Sequence, residues 1–429
     1  MAQKIYTPKV IADPIYGIFD IRPMLPMVET EEFQSLGEKK QLGLAHLVFP
    51  SATHTRKAHS LGAYNATREL ANLWISLGLI DEKRALALSA YALYHDIGHP
   101  AFSHVTEELC PKDNDEMSLE IIRRLKKPIE ETGADFSLVE KLASHKDSLY
   151  LAVHDKNLGM EKLDYLERDG MTTILSRPSG IDYLRKHIYF VGGEIMIDEK
   201  VVDNAIEVQN FYLKMYKNVY LRKASVIAQR MLQKTIYHSI LEGEVKAEEL
   251  QALTDGELIG IVRASNNKTA KTLYDHFKKR DLFREALTLR HKNFVDSYNT
   301  TGKNIAVVGL ETEELEKLIQ SPKLAVKNQV DLEKLEQKIA EIAGVPFEEV
   351  LAVPVFNAWR FKPQDVRIYS ESGGHLSLKE RFPAHFKNLE EIAKSYTAFR
   401  ICTTEKNRER LSSKEISGKV LSYLYDFAK

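Results

Sequence analysis

The chain has 429 residues, 44% hydrophobic and 28% charged, enough for one large globular domain or two ordinary ones. A formal net charge of -1 excludes a global attraction to nucleic acid or to a membrane surface, so any affinity for phosphate has to come from local clusters. Cys110 and Cys402 are too few for a disulfide framework, no Cys-x-x-Cys occurs, the N-terminus lacks an apolar signal segment and no run is long enough to span a bilayer, which together point to the cytoplasm.

Residues 1–20 alternate in polarity around Pro8, Pro14 and Gly17, predicting short strands at Lys4–Tyr6 and Ile18–Asp20. Residues 28–43 read as helix, with Phe33, Leu36 and Leu42 as apolar contacts. The stretch His54–Gly62 reads as a loop entering a helix over Leu61–Leu77, which Gly78 closes. Asp81 caps the next helix, which carries Ala85, Leu86, Leu88, Ala90 and Leu93 and ends at His95 and Asp96, where Gly98 and Pro100 stop it. Further helices are expected over Met117–Lys126 and Ser137–His145, from Leu158 through Asp169, and briefly within 179–190. The segment Ile188–Ile197 reads as a hairpin turning at Gly192 and Gly193. No glycine or proline interrupts Val201–Leu241, so one long helix or two joined at a kink is expected there, with helices continuing through Arg290.

Composition shifts at Ser297–Lys303, the candidate boundary between a domain over 1–296, with its metal core at about 40–225, and a lobe over 297–429. In that lobe strands are expected at Ile305–Val308, Ala352–Phe356, Val366–Tyr369 and Phe399–Cys402, and helices near 312–319, 331–343, 387–396 and 413–428. The fold class is therefore mainly α: a helical core with small β hairpins and a C-terminal α+β lobe suited to assembly or to a lid.

The chemistry gathers at the end of the second long helix. His95 and Asp96 are sequence neighbours about a quarter-turn apart, so both lean toward one point beside the helix end. Imidazole nitrogen with carboxylate oxygen suits zinc, iron, manganese or a similar divalent ion. A His-Asp pair alone is more often a surface hydrogen bond. His59 at one helix entry and Glu161 at the start of another make a four-ligand set possible. Arg56, three residues before His59, is placed for a phosphate, the bland alternative being a solvated arginine. Glu161, Tyr165 and Asp169 recur at four-residue spacing and share a helix face.

These motifs resemble the HD-domain metal phosphohydrolases, and within them the deoxynucleoside triphosphate triphosphohydrolase group, which includes bacterial dGTPases and the vertebrate sterile-alpha-motif/HD-domain restriction factor. The resemblance runs from Val10–Gly17 through Phe33 and Gln34, Lys40–Gly43, Phe49 and Pro50 to about Tyr220. It implies one divalent ion (Mn, Fe, Mg, Zn, Co or Ni) held by His59, His95, Asp96 and Glu161. It implies Gln41, beside Leu42, at the substrate sugar, Arg56 and Lys162 at the phosphates, Tyr165 stacked on the sugar where a 2′-hydroxyl would collide, Asp169 accepting from the 3′-hydroxyl, and Tyr220 touching the nucleotide. The implied substrates are deoxynucleoside triphosphates (dNTPs) and the implied assembly is a homo-oligomer, from dimer to tetramer or larger. A nucleotide activator stays open, but at the guanine-site positions Glu29, Gln34 and Gly37 the family's arginine is missing at Gly37 and the acid is lengthened at Glu29, so guanine-specific activation is not carried over.

Two departures bear on activity. Asn114 stands where the family usually has a histidine acting in proton transfer, and an amide is no acid near neutral pH. Either His99 and His104 supply that function, with Glu107 orienting one of them, or the site is slow, or the reaction differs. Glu161 replaces an aspartate, and Gly159 stands where another aspartate is frequent. Two further readings therefore remain: a phosphohydrolase of another nucleotide (monophosphate, cyclic or modified), and a catalytically degenerate nucleotide sensor or scaffold.

Overall fold

The structure is a computed structural model that describes residues 7–296, 302–355, 361–370 and 376–429. The chain opens with an antiparallel hairpin of β1 (Val10–Asp13) and β2 (Gly17–Asp20), in which Val10 faces Asp20. Gly17 takes the left-handed backbone conformation of the turn, at φ +73°. The strand expected at Lys4–Tyr6 lies outside the described residues. The single helix expected over 28–43 is instead broken. Thr30 caps a new start at Glu31–Ser35, a 3-10 turn follows at Leu36–Glu38, and Lys40 then bridges to Thr55. A capping threonine and Gly37 inside the stretch outweigh its apolar periodicity.

Helix α1 (Arg56–Ser76) begins earlier than expected because Thr55, not a later residue, caps it: its hydroxyl accepts from Ala58 N at 3.3 Å. Arg56 and His59 thus belong to a helix rather than to a loop. Helix α2 (Glu82–Tyr94) starts at Asp81, whose carboxylate accepts from Arg84 N at 2.8 Å. Ala63, Ala66 and Ala71 on α1 and Ala87, Ala90 and Ala92 on α2 are all buried. These small side chains let two polar-ended helices pack closely without a thick apolar layer between them. Helices α3 (Asn114–Arg124) and α4 (Met160–Thr173) complete the bundle, whose core also holds Phe33, Trp74, Leu88, Leu142 and Leu163.

The expected hairpin is present as β3 (Ile188–Val191) and β4 (Glu194–Asp198), with Gly192 and Gly193 at positive φ. The segment Val201–Leu241 forms two helices, α5 (Val202–Met215) and α6 (Lys223–Leu241), joined by a π-helical turn over Tyr216–Tyr220. The reading of helices through Arg290 is corrected: Arg284–His291 is the strand β5. Its residues are buried along nearly its whole length, which marks an interior strand.

Strand β5 pairs in parallel with β6 (Ala306–Leu310) and antiparallel with the later strand Ala398–Thr403, which in turn pairs with Val350–Val353. The sheet of the C-terminal lobe thus takes one strand from the segment before residue 296. Residues 297–301, where the composition shifts, lie outside the described set. The strand expected near Val366–Tyr369 forms as Arg367–Tyr369, but it extends the β3–β4 hairpin by pairing in parallel with β4. Helices over Thr312–Gln320, Gln329–Ala343 and Lys414–Ala428 cover the lobe's sheet. A buried ion cluster ties the lobe to α6: Glu336 receives Arg230 at 3.3 Å and Lys234 at 2.8 Å.

Candidate metal centre

Three side chains from α1 and the end of α2 converge. His59 sits in the first turns of α1, His95 is the C-cap of α2, and Asp96 follows it. The Nδ1–H of His59 donates to Asp164 Oδ2 at 2.7 Å, and the Nδ1–H of His95 donates to the Ala92 carbonyl at 2.7 Å. Both acceptors lack protons, so each Nδ1 carries a hydrogen and each Nε2 is the ring atom left to bind an ion. Those two Nε2 atoms face each other at 3.2 Å, with Asp96 oxygens 3.7 Å from the first and 3.5 Å from the second. At that distance beside a carboxylate the two nitrogens share either a proton or a metal cation. Nitrogen, nitrogen and oxygen donors, all buried and within 4.8 Å of one another, fit one divalent ion of the transition series.

The support beneath His59 is built with equal care. Asp164 has no solvent exposure and its carboxylate also receives Arg168 Nε at 3.0 Å and Nη2 at 2.8 Å, while Arg168 Nη1 reaches Asp13 at 2.9 Å. Burial opposes the charge on Asp164, yet Arg168 and His59 hold the carboxyl far below the usual range. Gly62 lets this network come close to α1: a Cβ there would lie 2.1 Å from Asp164 Oδ1. The sequence reading left Asp164 and Arg168 without a role. Their four-residue spacing was the available signal, since it marks an intrahelical ion pair.

On the other side, Asp96 accepts from Arg56 Nη1, and Arg56 Nε donates to Ser103 Oγ at 2.7 Å. Ser103 and Phe102 both hold positive φ, 52° and 57°, a strained backbone pinned by these contacts next to the site. Burial works against the charge of Asp96, but His99 and Arg56 keep its carboxyl well below the ordinary value. His99 Nδ1 lies 3.2 Å from Asp96 Oδ1, and its Nε2 accepts from Asn114 Nδ2 at 3.0 Å. Burial, then Arg56, pushes the His99 imidazole down to about 3, so it stays neutral. Asn114 engages His99 Nε2, while Nδ1 lies buried beside Asp96 without a hydrogen bond, so the ring is held as a neutral neighbour of Asp96. His104 is different: it is half-exposed, and its Nδ1 lies 2.7 Å from Glu107 Oε2. Burial would raise the Glu107 carboxyl, but His104 brings it down to about 2.

Glu161, expected as the fourth ligand, stands outside the tight trio. Its Oε2 is 3.9 Å from His95 Nε2 but 2.5 Å from Nδ1 of His154, a residue the sequence reading passed over. The added methylene lets the carboxylate reach sideways to that histidine. Burial lowers the His154 imidazole, but Glu161 and the acids around it raise it to about 9. Lys162, expected at the phosphates, points elsewhere: its Nζ donates to the Lys156 carbonyl and lies 3.4 Å from the centre of the Tyr212 ring. One position beyond Glu161, it faces about a quarter-turn around α4, where burial brings its pKa down to about 7.

One chamber opens onto the trio and a second adjoins it. The first, of about 420 Å³, is polar and contains Arg56, His59, Asp96, His99, Glu107, Asn114 and His154; its wall carries five carboxylates, those of Asp96, Glu107, Asp113, Asp115 and Glu161. The other, of about 270 Å³, is walled by Leu42, Asp169, Tyr212, Tyr216 and Tyr220. Gln41, His104, Glu161 and Tyr165 line both, so the two form one cleft. Gln41 Oε1, Arg56 Nη2 and Asn114 Oδ1 are buried there without a hydrogen-bond partner, which marks a place for a polar ligand. The π-helical turn brings Tyr216 and Tyr220 onto the same wall as Tyr212, as such turns do at functional sites. Asp169 is already engaged: His54 Nε2 lies at 2.7 Å from one oxygen and Tyr220 donates to the other at 2.8 Å.

Comparison with known proteins fits this geometry. The HD domain family matches residues 56–169 and the HD associated region matches residues 181–317. An HD domain-containing protein of Acanthamoeba polyphaga mimivirus is 28% identical over 344 residues, covering 66% of this chain and 74% of that one. The deoxynucleoside triphosphate triphosphohydrolase SAMHD1 of Bos taurus is 42% identical over 104 residues, only 23% of this chain and 18% of that one. The crystal structure of a phosphohydrolase from Bacteroides thetaiotaomicron superposes with a TM-score of 0.69 over 92% of this chain and all of its own (100%), at 22% identity, which establishes a shared fold. The matched segments carry the His59, His95 and Asp96 trio on its helices, and the chain belongs to the HD-domain phosphohydrolase superfamily.

Proposed function

We propose that this chain is a metal-dependent nucleotide phosphohydrolase that splits deoxynucleoside triphosphates into deoxynucleoside and inorganic triphosphate. The observation that carries the reading is the junction of a polar chamber at the trio with a tyrosine-walled chamber, joined through Gln41, His104, Glu161 and Tyr165. Phosphates belong in the first and a sugar and base against the aromatic faces of the second. A divalent ion held by His59, His95 and Asp96 supplies the charge that polarises a phosphoryl oxygen and acidifies a water.

The chain's own residues do the rest. Arg56, anchored through Nε and Nη1, presents its unpartnered Nη2 to a phosphate oxygen. Water's oxygen bonds to the α-phosphorus as the bond to the 5′ oxygen breaks, and that oxygen must gain a proton. His104 stands at the junction, paired through Nδ1 with Glu107, and is the imidazole in place to deliver that proton. Tyr165 lines both chambers, and its role in this reading is to collide with a ribose 2′-hydroxyl and so favour deoxynucleotides.

One observation favours a second substrate class. Among the described residues Arg56 is the only lysine or arginine lining either chamber, because Lys162 is turned away. A triphosphate carries more charge than one guanidinium and one ion offset, which suits a monophosphate better. Product analysis separates the two: incubation with each dNTP and manganese should release inorganic triphosphate and nucleoside. Release of orthophosphate from a deoxynucleoside monophosphate, with dNTPs untouched, would replace the first reading by the second.

A further inference from the structure

Gly159 stands where a family aspartate is frequent, and no side chain fits there: a Cβ would lie 2.2 Å from the Val153 carbonyl oxygen and 2.6 Å from Asp155 N. The crowding comes from a fold-back. The one-turn helix Leu151–His154 ends at Asp155, whose carboxylate caps the turn by accepting from Asn157 N at 2.9 Å and Leu158 N at 2.8 Å. Gly159 N then donates to the Asp155 carbonyl at 3.1 Å, and α4 begins. This tight return brings His154, the last residue of the short helix, against Glu161 in the first turn of α4. The His154 ring lies 5.5 Å from the His95 ring and 5.8 Å from Tyr91, which hold it between them. Its Nδ1 is 2.5 Å from Glu161 Oε2, the same oxygen that lies 3.9 Å from His95 Nε2.

We propose that His154 is a positioning residue that fixes the Glu161 carboxylate at the edge of the His59, His95 and Asp96 trio and thereby sets the affinity for the divalent ion. A glutamate has one more rotatable bond than the family's aspartate, so its carboxylate samples more positions unless something holds it. His154 Nδ1 lies against Oε2 as an ion-pair contact, and the other oxygen is left for the ion. The glycine, the fold-back and the histidine form one device: Gly159 permits the turn, the turn delivers His154, and His154 pins the longer acid. This inference rests on the reading that the trio holds a divalent ion.

The test is metal binding by the full chain, without substrate. Mn²⁺ affinity is measured by chelator competition, and the ligand field by the Co²⁺ absorption spectrum, for wild type, H154N, H154Q, E161Q and H154Q/E161Q. Asparagine places an amide N–H where Nδ1 stands, and glutamine places it elsewhere. Binding by H154Q and by E161Q should weaken about 10–100-fold, as loss of an outer support does. The double variant should be no weaker than E161Q alone, and H154N should keep near wild-type affinity and the wild-type Co²⁺ spectrum. Apo-protein melting temperatures report whether a variant is merely misfolded. Wild-type affinity in H154Q, or losses that add in the double variant, would overturn the role of His154 while leaving the trio intact. Failure of wild type to take up either ion would overturn both.

Discussion

Replacing Asp164 with asparagine probes the support of the metal centre without touching a ligand. In the wild-type chain the carboxylate accepts from His59 at 2.7 Å and from Arg168 at 2.8 and 3.0 Å, all inside the protein. An asparagine keeps the shape but turns one acceptor into a donor, which must then face either the His59 Nδ1–H or the Arg168 guanidinium, both donors themselves. The imidazole can escape by moving its proton to Nε2, which blocks the lone pair that faces the ion. Loss of such outer support costs about 10–100-fold in metal affinity. The magnitude can be read from thermal stability. At a metal concentration about 100 times the wild-type dissociation constant, the ion stabilises the fold by ~2.7 kcal/mol. With binding weakened tenfold that falls to ~1.4 kcal/mol, and with a hundredfold loss to ~0.4 kcal/mol. The assay is the rise in melting temperature on adding manganese to metal-free protein, compared between wild type and D164N so that any destabilisation common to both states cancels. An equal metal-dependent rise in the two proteins would refute the argument that Asp164 sets the His59 tautomer.

Further outcomes follow from the same geometry. Gly62→Ala drives a methyl group to 2.1 Å from Asp164 Oδ1 and 2.2 Å from Arg168 Nη2, and should lower stability by about 3–5 kcal/mol by breaking that buried pair, seen as an earlier denaturant midpoint. His104→Ala should cut turnover by about 10²–10⁴-fold while leaving manganese affinity at the wild-type value; a parallel loss of metal binding would argue against a proton-transfer role. Tyr165→Ala should narrow the gap in kcat/KM between a deoxynucleotide and its ribonucleotide counterpart, measured by product release, and an unchanged ratio would remove Tyr165 from sugar discrimination.

The sequence disclosed the helices of the core because their caps and periodicity agree: Asp81 before an Ala/Leu run is followed by the helix Glu82–Tyr94, and the Gly192-Gly193 turn lies within the expected hairpin. It failed where one local signal had to be weighed against another. Thr30 interrupts an apolar pattern that otherwise reads as continuous helix, and Thr55 starts a helix earlier than the apolar residues suggest. The strand Arg284–His291 was hidden because charged residues within it are buried against partners far along the chain: Glu285 is held by Arg400 and Lys223. Of the metal set, His59, His95 and Asp96 were legible as residue types at helix ends. The part played by His154 was not, since it depends on a turn that only a glycine allows and that no spacing rule announces. Lys162 shows the same limit: its position in the motif was plain, but its direction follows from the rotation of α4 against Tyr212.

The most direct test of the account is the metal content of the purified chain after loading with manganese and removal of free ion, in wild type and in Asp96→Ala. Asp96 contributes one of three buried donors, and its loss leaves two imidazoles too few to retain the ion. One manganese per chain in wild type, absent from a variant whose circular dichroism is unchanged, is the predicted result. A wild-type chain that retains no ion, or a variant that retains as much, would contradict it.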